Sequence, residues 1–282
     1  MPGKFDDLRI SIFVISDPNI RPSKILSLLE NEGIKHHRVS PIFLKQYPVE
    51  FNAKRSQVLS KKRLSLSEIG CAKAHLSCYS KFLESDDDFA LIFEDDAHLI
   101  DSDLDSLYNL TRKFMDFNKA TFKYDSIAML YYSESANIIQ ANQYFYNIVG
   151  NASHAMAYLI NRLSAMDLLK RNAQSDYVAD WPKGTGIRFF LPESRLFEHG
   201  SKNGSVESFI EPARLFNTLD FQSKILQNLK IIFFVTYFRN ISFFSGINDY
   251  VRILWVPIFQ WQFFRVLSIL SPKSRRIKVI RN

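Results

Sequence analysis

Glycine is scarce in this sequence, with 9 residues in 282. Neither a G-x-G-x-x-G segment nor a G-x-x-x-x-G-K-[ST] segment occurs. This excludes the dinucleotide fingerprint and the Walker A loop, which hold phosphates with backbone amides. A bound diphosphate would have to be neutralised by a metal ion and by side chains instead. The shortage of glycine therefore favours a metal-bridged nucleotide-sugar over NAD or ATP as a ligand.

Cysteines and long apolar runs are equally sparse. Cys71 and Cys78 are the only cysteines and stand seven residues apart in a predicted helix, about 10 Å along its axis and too far apart for a disulfide. No uncharged apolar stretch reaches the length of a spanning helix. Met1–Arg9 is polar and the apolar run Ile10–Ile15 is too short for a signal peptide. These features predict reduced thiols and a cytoplasmic protein.

Acidic residues are almost absent from the last 52 residues, which contain one of them beside eight Lys and Arg and 12 of the 40 aromatic residues. The first 230 residues contain 28 basic and 28 acidic side chains and are neutral. The sequence is therefore a neutral body with a basic, aromatic tail. A nucleic-acid-binding protein more often spreads Lys and Arg over a folded face, so no nucleic acid is expected as a partner.

Two apolar stretches of the tail, 231–238 and 253–264, are too short to cross a bilayer. Flanked by arginines, they suit helices that lie in the membrane interface. The basic cluster at 273–281 suits anionic head groups. We therefore predict that the tail binds an anionic membrane surface. The alternative is that its aromatic residues pack as ordinary core or form an oligomer contact.

Strand and helix patterns alternate along the body and predict an α/β fold. Ile10–Ile15 is a predicted buried strand, a helix follows from Pro22 to about Gly33, and a second strand comes near 36–39. This βαβ start is typical of a Rossmann-like layer. We predict the following further elements: a mobile loop at 46–63, a helix from an N-cap at Ser67 to about Glu84, strands at 89–93, 126–131 and 155–160, and helices at 103–117 and 163–170.

The strongest local signal is the acidic run Glu94-Asp95-Asp96, directly after the apolar strand Phe89–Phe93. Strand alternation would place Glu94 and Asp96 on one face and Asp95 on the other. Adjacent carboxylates repel, and burying them is costly unless a cation lies there. Their oxygens suit Mg²⁺ or Mn²⁺, at the strand ends where α/β sheets bind ligands. The run therefore predicts a metal site, with a solvated acidic turn as the alternative.

Two further residues are candidates for chemistry. His199 follows a predicted strand and precedes a glycine; it is either a third metal ligand or a surface histidine. Asp180, between Ala179 and Trp181, is either a general base with a raised pKa or the cap of a turn before Pro182. Trp181 could stack on a sugar ring.

Four blocks of sequence carry a family resemblance. In order they are Glu68-Ile-Gly-Cys-Ala-Lys-Ala-His75, Ala90-Leu-Ile-Phe-Glu-Asp-Asp-Ala97, His154-Ala-Met-Ala-Tyr-Leu-Ile-Asn161 and Ala179-Asp-Trp-Pro182. Together they resemble glycosyltransferase family 25, which includes bacterial lipooligosaccharide galactosyltransferases and glucosyltransferases and relatives acting on collagen. The resemblance covers roughly residues 8–210. Ala74 departs from the pattern, which usually has Ser there, so a hydrogen-bonding role at that position is in doubt.

The resemblance implies a GT-A-like, Rossmann-type catalytic domain at 1–211. The remaining residues, 212–282, are not covered by the family pattern, and their own composition predicts a mostly helical extension. The resemblance also implies an inverting, metal-dependent transfer from a UDP-sugar, with Mn²⁺ or Mg²⁺ at the acidic run. Asp96 is the first candidate for the metal contact and Glu94 the second. The implied donor-binding residues are Glu68, Gly70, His75 and Asp95; for His75 a hydrogen-bonded structural role is the alternative.

The predicted function is therefore transfer of a hexose, best galactose from UDP-galactose, onto a lipooligosaccharide or related glycan. The acceptor is expected to be lipid-linked, and the enzyme to lie on the inner face of the cytoplasmic membrane. The alternatives are glucose transfer within the same family and, from another class, a non-catalytic peripheral membrane adaptor whose acidic run binds Ca²⁺.

Overall fold

The structure is a computed structural model that describes residues 4–60, 64–121, 125–131, 137–149, 152, 154–173, 177–179, 181 and 186–200. The predicted helical extension at 212–282 lies outside these residues, as does Asp180. Within the described ranges, no helix has both the length and the apolar character needed to cross a bilayer. The division of the chain at residue 211 stays a prediction.

Over the described residues the chain forms ten strands and five α-helices. The strands are β1 (Ile10–Ile15), β2 (His37–Val39), β3 (Phe89–Glu94), β4 (Ala97–Leu99), β5 (Ser126–Met129), β6 (Asn137–Gln140), β7 (Phe145–Val149), β8 (Ala157–Asn161), β9 (Arg188–Pro192) and β10 (Phe197–His199). The helices are α1 (Lys24–Asn31), α2 (Ala53–Ser60), α3 (Leu66–Glu84), α4 (Leu104–Thr121) and α5 (Arg162–Arg171).

Eight strands form one mixed sheet in the order β2-β1-β3-β8-β5-β9-β7-β6. The first three neighbours, β2, β1 and β3, are parallel, whereas β8 is antiparallel to both β3 and β5. β4 and β10 form a separate antiparallel ribbon. The predicted α/β class and the βαβ start are confirmed.

β3 is buried between β1 and β8, where the parallel part of the sheet ends, and its alternating side chains supply both cores. Phe89, Leu91 and Phe93 pack with residues of α1 and α4 on one face. Ala90 and Ile92 pack with residues of α3 and α5 on the other face. Since both faces are covered, the strand is apolar along its length, as buried parallel strands are. The only strongly polar positions of this segment come where the strand ends.

The start of α3 corrects the predicted cap. The N-cap is Ser65, not Ser67, and it forms a capping box with Glu68. The Ser65 hydroxyl accepts from the Glu68 amide at 3.2 Å, and the Glu68 carboxylate accepts from the Ser65 amide at 3.0 Å. This reciprocal pattern needs a Ser three residues before the Glu, a spacing that Ser65 has and Ser67 lacks.

The segment predicted as a mobile loop contains a helix, so that prediction is wrong at α2 (Ala53–Ser60). The helix has weak amphipathic character, which is why its apolar period was not evident. Its start is nevertheless marked, because the side chain of Asn52 accepts from the Arg55 amide at 2.9 Å, the bond of an N-cap. Ser56 is buried, and its hydroxyl accepts from the Leu64 amide at 3.2 Å. α2 is thereby held to the chain that leads into α3.

Gly70 allows the chain after β2 to cross α3 at close range. A Cβ added at Gly70 would overlap the carbonyl oxygen of Ile42 and lie 3.1 Å from its carbonyl carbon. Both atoms belong to the backbone, so no side-chain rotation would relieve the overlap. The absence of a side chain at this position therefore has a packing reason.

We predict that Gly70→Ala destabilises the protein by about 1–3 kcal/mol, the usual cost of overpacking. The sign is diagnostic, because Gly→Ala inside a helix otherwise stabilises by about 1 kcal/mol. Urea unfolding of the full-length protein measures the change. Ser80→Ala, at an exposed position of the same helix, is the matched control and should be neutral or slightly stabilising. A stabilising Gly70→Ala would show that the segment around Ile42 is not fixed against α3.

Candidate functional site

The acidic run lies at the carboxyl end of β3, at an edge shared with the end of β1. β3 ends at Glu94, and Asp95 and Asp96 form the turn into β4. The expected alternation of faces therefore does not extend beyond Glu94, because the backbone leaves the strand there. Each of the three carboxylates instead contacts a different element of the chain.

Asp95 is paired with Arg21, which lies in the loop between β1 and α1. The Arg21 Nε donates to Asp95 Oδ2 at 2.7 Å, and a terminal nitrogen of the same guanidinium donates to Asp95 Oδ1. Burial alone would lower the pKa of Arg21, but the hydrogen bonds and charges of the acidic run outweigh it and raise the pKa. The pair is a two-point, charge-assisted contact that fixes the loop after β1 against the end of β3.

Glu94 is paired with His75 on α3. The distance from Glu94 Oε1 to His75 Nε2 is 3.0 Å, and His75 is 1% exposed. On the other side of the ring, Nδ1 lies 2.8 Å from the Tyr158 hydroxyl, which is 2.8 Å from that of Tyr79. Burial would raise the pKa of Glu94, but the hydrogen bond from His75 and nearby positive charges lower it overall. A buried chain of polar groups thus ends in an ionised carboxylate at the surface of the site.

Burial raises the pKa of both tyrosines of this chain, Tyr79 and Tyr158, well above their ordinary range. Both hydroxyls therefore keep their protons and serve as neutral donors and acceptors. His75 is consequently held on one side by neutral hydroxyls and on the other by a negative charge. This is the structural role that the sequence left open for His75, and it does not exclude contact with a donor.

Asp96 is paired with His199, which β10 brings to the site. Asp96 is 4% exposed, and its Oδ2 lies 3.3 Å from His199 Nδ1. The ribbon fixes this approach: His199 is opposite Ala97 in the β10–β4 register, and the Gly200 amide donates to the Asp96 carbonyl at 2.8 Å. A carboxylate oxygen and an imidazole nitrogen therefore converge at the end of β3.

Aromatic rings close one side of this pair. The rings of Tyr131 and His199 are 5.4 Å apart and meet edge to face, and His154 lies 5.5 Å from the Tyr131 ring. His154 has a positive φ of 70°, a conformation that costs energy for a residue with a side chain. The turn before β8 is therefore shaped to place His154 beside these rings.

Side chains of the chain itself compensate the three carboxylates of the acidic run. Three adjacent carboxylates were expected to require a cation, but each of them already faces a cationic or imidazole side chain from elsewhere in the chain. Charge compensation therefore does not by itself call for a metal. What still favours one is the donor set, since Asp96 and His199 offer one oxygen and one nitrogen close together.

Three other predicted residues have capping or packing contacts in the structure. Glu68 is buried as the partner in the capping box, and Gly70 contacts the backbone near Ile42. Trp181 does not present its face for a sugar: it is 6% exposed and packs edge-on against Tyr158, with ring centres 4.9 Å apart. The indole is large and apolar enough to be drawn into the core beneath β8.

Sequence reasoning missed Arg21, Tyr79, Tyr131 and Tyr158. Tyr158 lies within the third block, but the order of residues in a strand does not show that its hydroxyl contacts α3. Arg21 had a weak signal, as a basic residue in the loop that follows the first predicted strand, where α/β sheets bind anions. Nothing in the sequence pointed to its pairing with Asp95, 74 positions away.

The chain was also compared with known proteins. No individual curated sequence matches it. The sequence profile of glycosyltransferase family 25 (LPS biosynthesis protein) matches residues 10–181, which include the first strand, the acidic run and Trp181. This match spans more than half of the 282 residues and confirms the resemblance seen in the four blocks, so the chain belongs to glycosyltransferase family 25.

Proposed function

We propose that this family 25 enzyme of LPS biosynthesis transfers a hexose, first of all galactose from UDP-galactose, onto a lipid-linked surface glycan. The observation that carries the proposal is the convergence of Asp96 and His199 at the carboxyl end of β3, in a chain that belongs to a glycosyltransferase family. Open α/β sheets bind their ligands at this edge.

The donor set fits a hard divalent ion such as Mn²⁺ or Mg²⁺. Two neighbouring ligands of an octahedral ion with bonds of about 2.1 Å lie about 3 Å apart, and the Asp96 and His199 donor atoms lie 3.3 Å apart. Asp96 is our first metal ligand, His199 accompanies it, and Glu94 is the further candidate. When bound, the ion would neutralise charge on the diphosphate as it leaves the sugar.

The remaining side chains of the edge are assigned to donor binding. The Arg21–Asp95 pair sits beside the proposed ion and is half-buried, so it presents a fixed cation and a fixed carboxylate to a polar ligand. His75 orients Glu94 from behind. Glu68 and Gly70 act on the donor through the position of α3 and of the chain that crosses it.

Asp180 is the proposed general base. It takes the proton of the acceptor hydroxyl as that oxygen bonds to the anomeric carbon and the bond from this carbon to the diphosphate oxygen breaks, with inversion. Its neighbour Trp181 packs on Tyr158, the residue that holds His75. The alternative for Asp180 is that it caps a turn. The alternative for the donor is that the enzyme transfers glucose instead of galactose.

We predict that Asp96→Asn lowers Mn²⁺-dependent transfer by about 100-fold or more, since a metal supplies several kcal/mol of charge stabilisation in such reactions. A screen of UDP-sugars, read by UDP release with a lipooligosaccharide acceptor, measures this and identifies the donor. Asp116→Asn, an exposed position on α4, is the control and should keep full activity. Undiminished Mn²⁺-dependent activity in Asp96→Asn would refute the metal role.

For Asp180→Asn we predict a fall in kcat of about 10²–10⁴, the usual contribution of a general base, with nearly unchanged affinity for the UDP-sugar. Single-turnover transfer and equilibrium binding of the donor separate the two quantities. A variant that loses thermal stability together with donor binding would instead support the turn cap.

We further propose that the basic tail attaches the enzyme to the inner face of the cytoplasmic membrane, where a lipid-linked acceptor is presented. The support is its composition: all of the chain's excess positive charge lies in its last 52 residues, among aromatic residues. Each basic residue near an anionic surface contributes about 1 kcal/mol to binding. A membrane-facing tail would bring the site to its acceptor without a spanning helix.

Replacing the five basic residues at 273–281 with Gln in the full-length protein should weaken binding to anionic vesicles by about 100-fold or more. Co-sedimentation with phosphatidylglycerol-containing vesicles measures it, and truncation after residue 225 should release the protein entirely. Vesicles of zwitterionic lipid are the control. If the wild-type protein stays in the supernatant with anionic vesicles, the tail packs on the protein instead.

A further inference from the structure

A second group of potential metal ligands lies behind the acidic run, on the α3 side. Cys71, His75 and Glu94 each offer one ligand atom, and these three atoms lie within 4.8 Å of one another. Cys71 Sγ is 3.8 Å from Glu94 Oε1, and His75 Nε2 is 3.0 Å from the same oxygen. We propose that this thiol, imidazole and carboxylate form a binding site for a soft divalent cation, Zn²⁺, distinct from the hard-ion pair Asp96 and His199.

The two distances from Glu94 Oε1 to the sulfur and to the imidazole nitrogen are close to those of a tetrahedral zinc site. Zinc bonds of about 2.3 Å to sulfur and 2.0–2.2 Å to nitrogen and oxygen place N and O about 3.4 Å apart and S and O about 3.6 Å apart. The observed distances of 3.0 and 3.8 Å differ from these by a few tenths of an ångström. Small rotations of the side chains would close that gap without moving the backbone.

Rigid elements hold the ligands. Cys71 and His75 are four residues apart on α3, and residues at this spacing lie on the same face of a helix. The capping box fixes the start of that helix, and Glu94 ends β3, whose other residues are all buried. An ion at this site would link α3 directly to the end of β3.

The surroundings of His75 suit a metal-bound imidazole. Ligating histidines usually hold their second ring nitrogen through a hydrogen bond to a neighbouring group, and here Nδ1 lies 2.8 Å from the Tyr158 hydroxyl. A hydroxyl both donates and accepts. It therefore serves either tautomer: it donates to Nδ1 while Nε2–H donates to Glu94, and it accepts from Nδ1–H when Nε2 binds an ion.

Access to the site comes from the Cys71 and Glu94 side. Both residues are half-buried, whereas His75 is closed off from solvent. Zinc binding would replace the hydrogen bond between His75 and Glu94 by two metal bonds, and the thiol proton of Cys71 would pass to solvent. The fourth position would be left to water, as in zinc sites with three protein ligands.

The two proposed sites differ in the kind of metal ion that their ligands prefer. Thiolate ligands select zinc and similar ions, whereas carboxylates and water suit Mg²⁺ and Mn²⁺. The two sites share Glu94 at most, and their remaining ligands come from different elements. A large excess of Mg²⁺ should therefore fail to displace a soft ion from Cys71.

The test uses the full-length protein, stripped of metal with a chelator and titrated with Cd²⁺ or Co²⁺ as spectroscopic probes. We expect one equivalent to bind with a thiolate-to-metal absorption band in the near ultraviolet that persists in excess Mg²⁺. Cys71→Ala should abolish the band. Cys78→Ala should retain it, because Cys78 is buried two turns further along the same helix. Tyr158→Phe should keep the band but weaken binding by about 10–100-fold.

A second measurement covers the case in which a variant fails to fold. Zn²⁺ should protect Cys71 of the wild-type protein from alkylation by iodoacetamide, read by mass spectrometry of the peptide, and should raise the thermal midpoint. Absence of both the thiolate band and the protection in wild-type protein would overturn the proposal, as would a band that survives Cys71→Ala. Because neither readout involves sugar transfer, failure here would leave the proposed function standing.

Discussion

The site depends on one electrostatic constraint: the three adjacent carboxylates of the acidic run (Glu94–Asp96) must each be compensated where a buried strand ends. The chain meets it with three partners from separate elements. Arg21 comes from the loop after β1, His75 from α3 and His199 from β10. Uncompensated, carboxylates at this depth would carry a large desolvation cost. Compensation of these three carboxylates therefore depends on three features of the fold. They are the pairing of β3 with β1, the packing of α3 on the sheet and the β4–β10 ribbon.

The three residues of the acidic run differ in the kind of side chain that compensates them. Asp95 is bound at two points by a guanidinium that no change of pH in the ordinary range would discharge, so it keeps the loop after β1 in place. Asp96 and Glu94 face imidazoles instead, and an imidazole can exchange a hydrogen bond for a metal bond. The run thus combines one ion pair that fixes a loop with two carboxylates that face imidazoles. The two proposed cation sites differ in the thiol of Cys71, which lies only beside Glu94 among the described residues.

Local patterns allowed much of the fold to be predicted. The apolar strand Phe89–Phe93 and the βαβ start were confirmed because their buried residues are consecutive in the sequence. The acidic run was located by its position directly after that strand. The errors were of two kinds. α2 has too little apolar periodicity to be recognised except through its cap at Asn52. Ser67 is wrong as the N-cap because it directly precedes Glu68, whereas a capping box needs the Ser three residues before the Glu, where Ser65 stands. The partners of the carboxylates lie 19 to 103 positions away, and only tertiary packing could reveal them.

Ala74, where the family pattern usually has Ser, is a buried position of α3. Ala74 is fully buried and packs in the core between α3 and the sheet, where a hydroxyl would need a hydrogen-bond partner. Cys71, three residues earlier on the same side of the helix, and His75, the next residue, contact Glu94. A missing hydroxyl at position 74 therefore removes a polar group from the core side of the helix. The contacts of Cys71 and His75 with Glu94 are present although the sequence departs from the family pattern at that position.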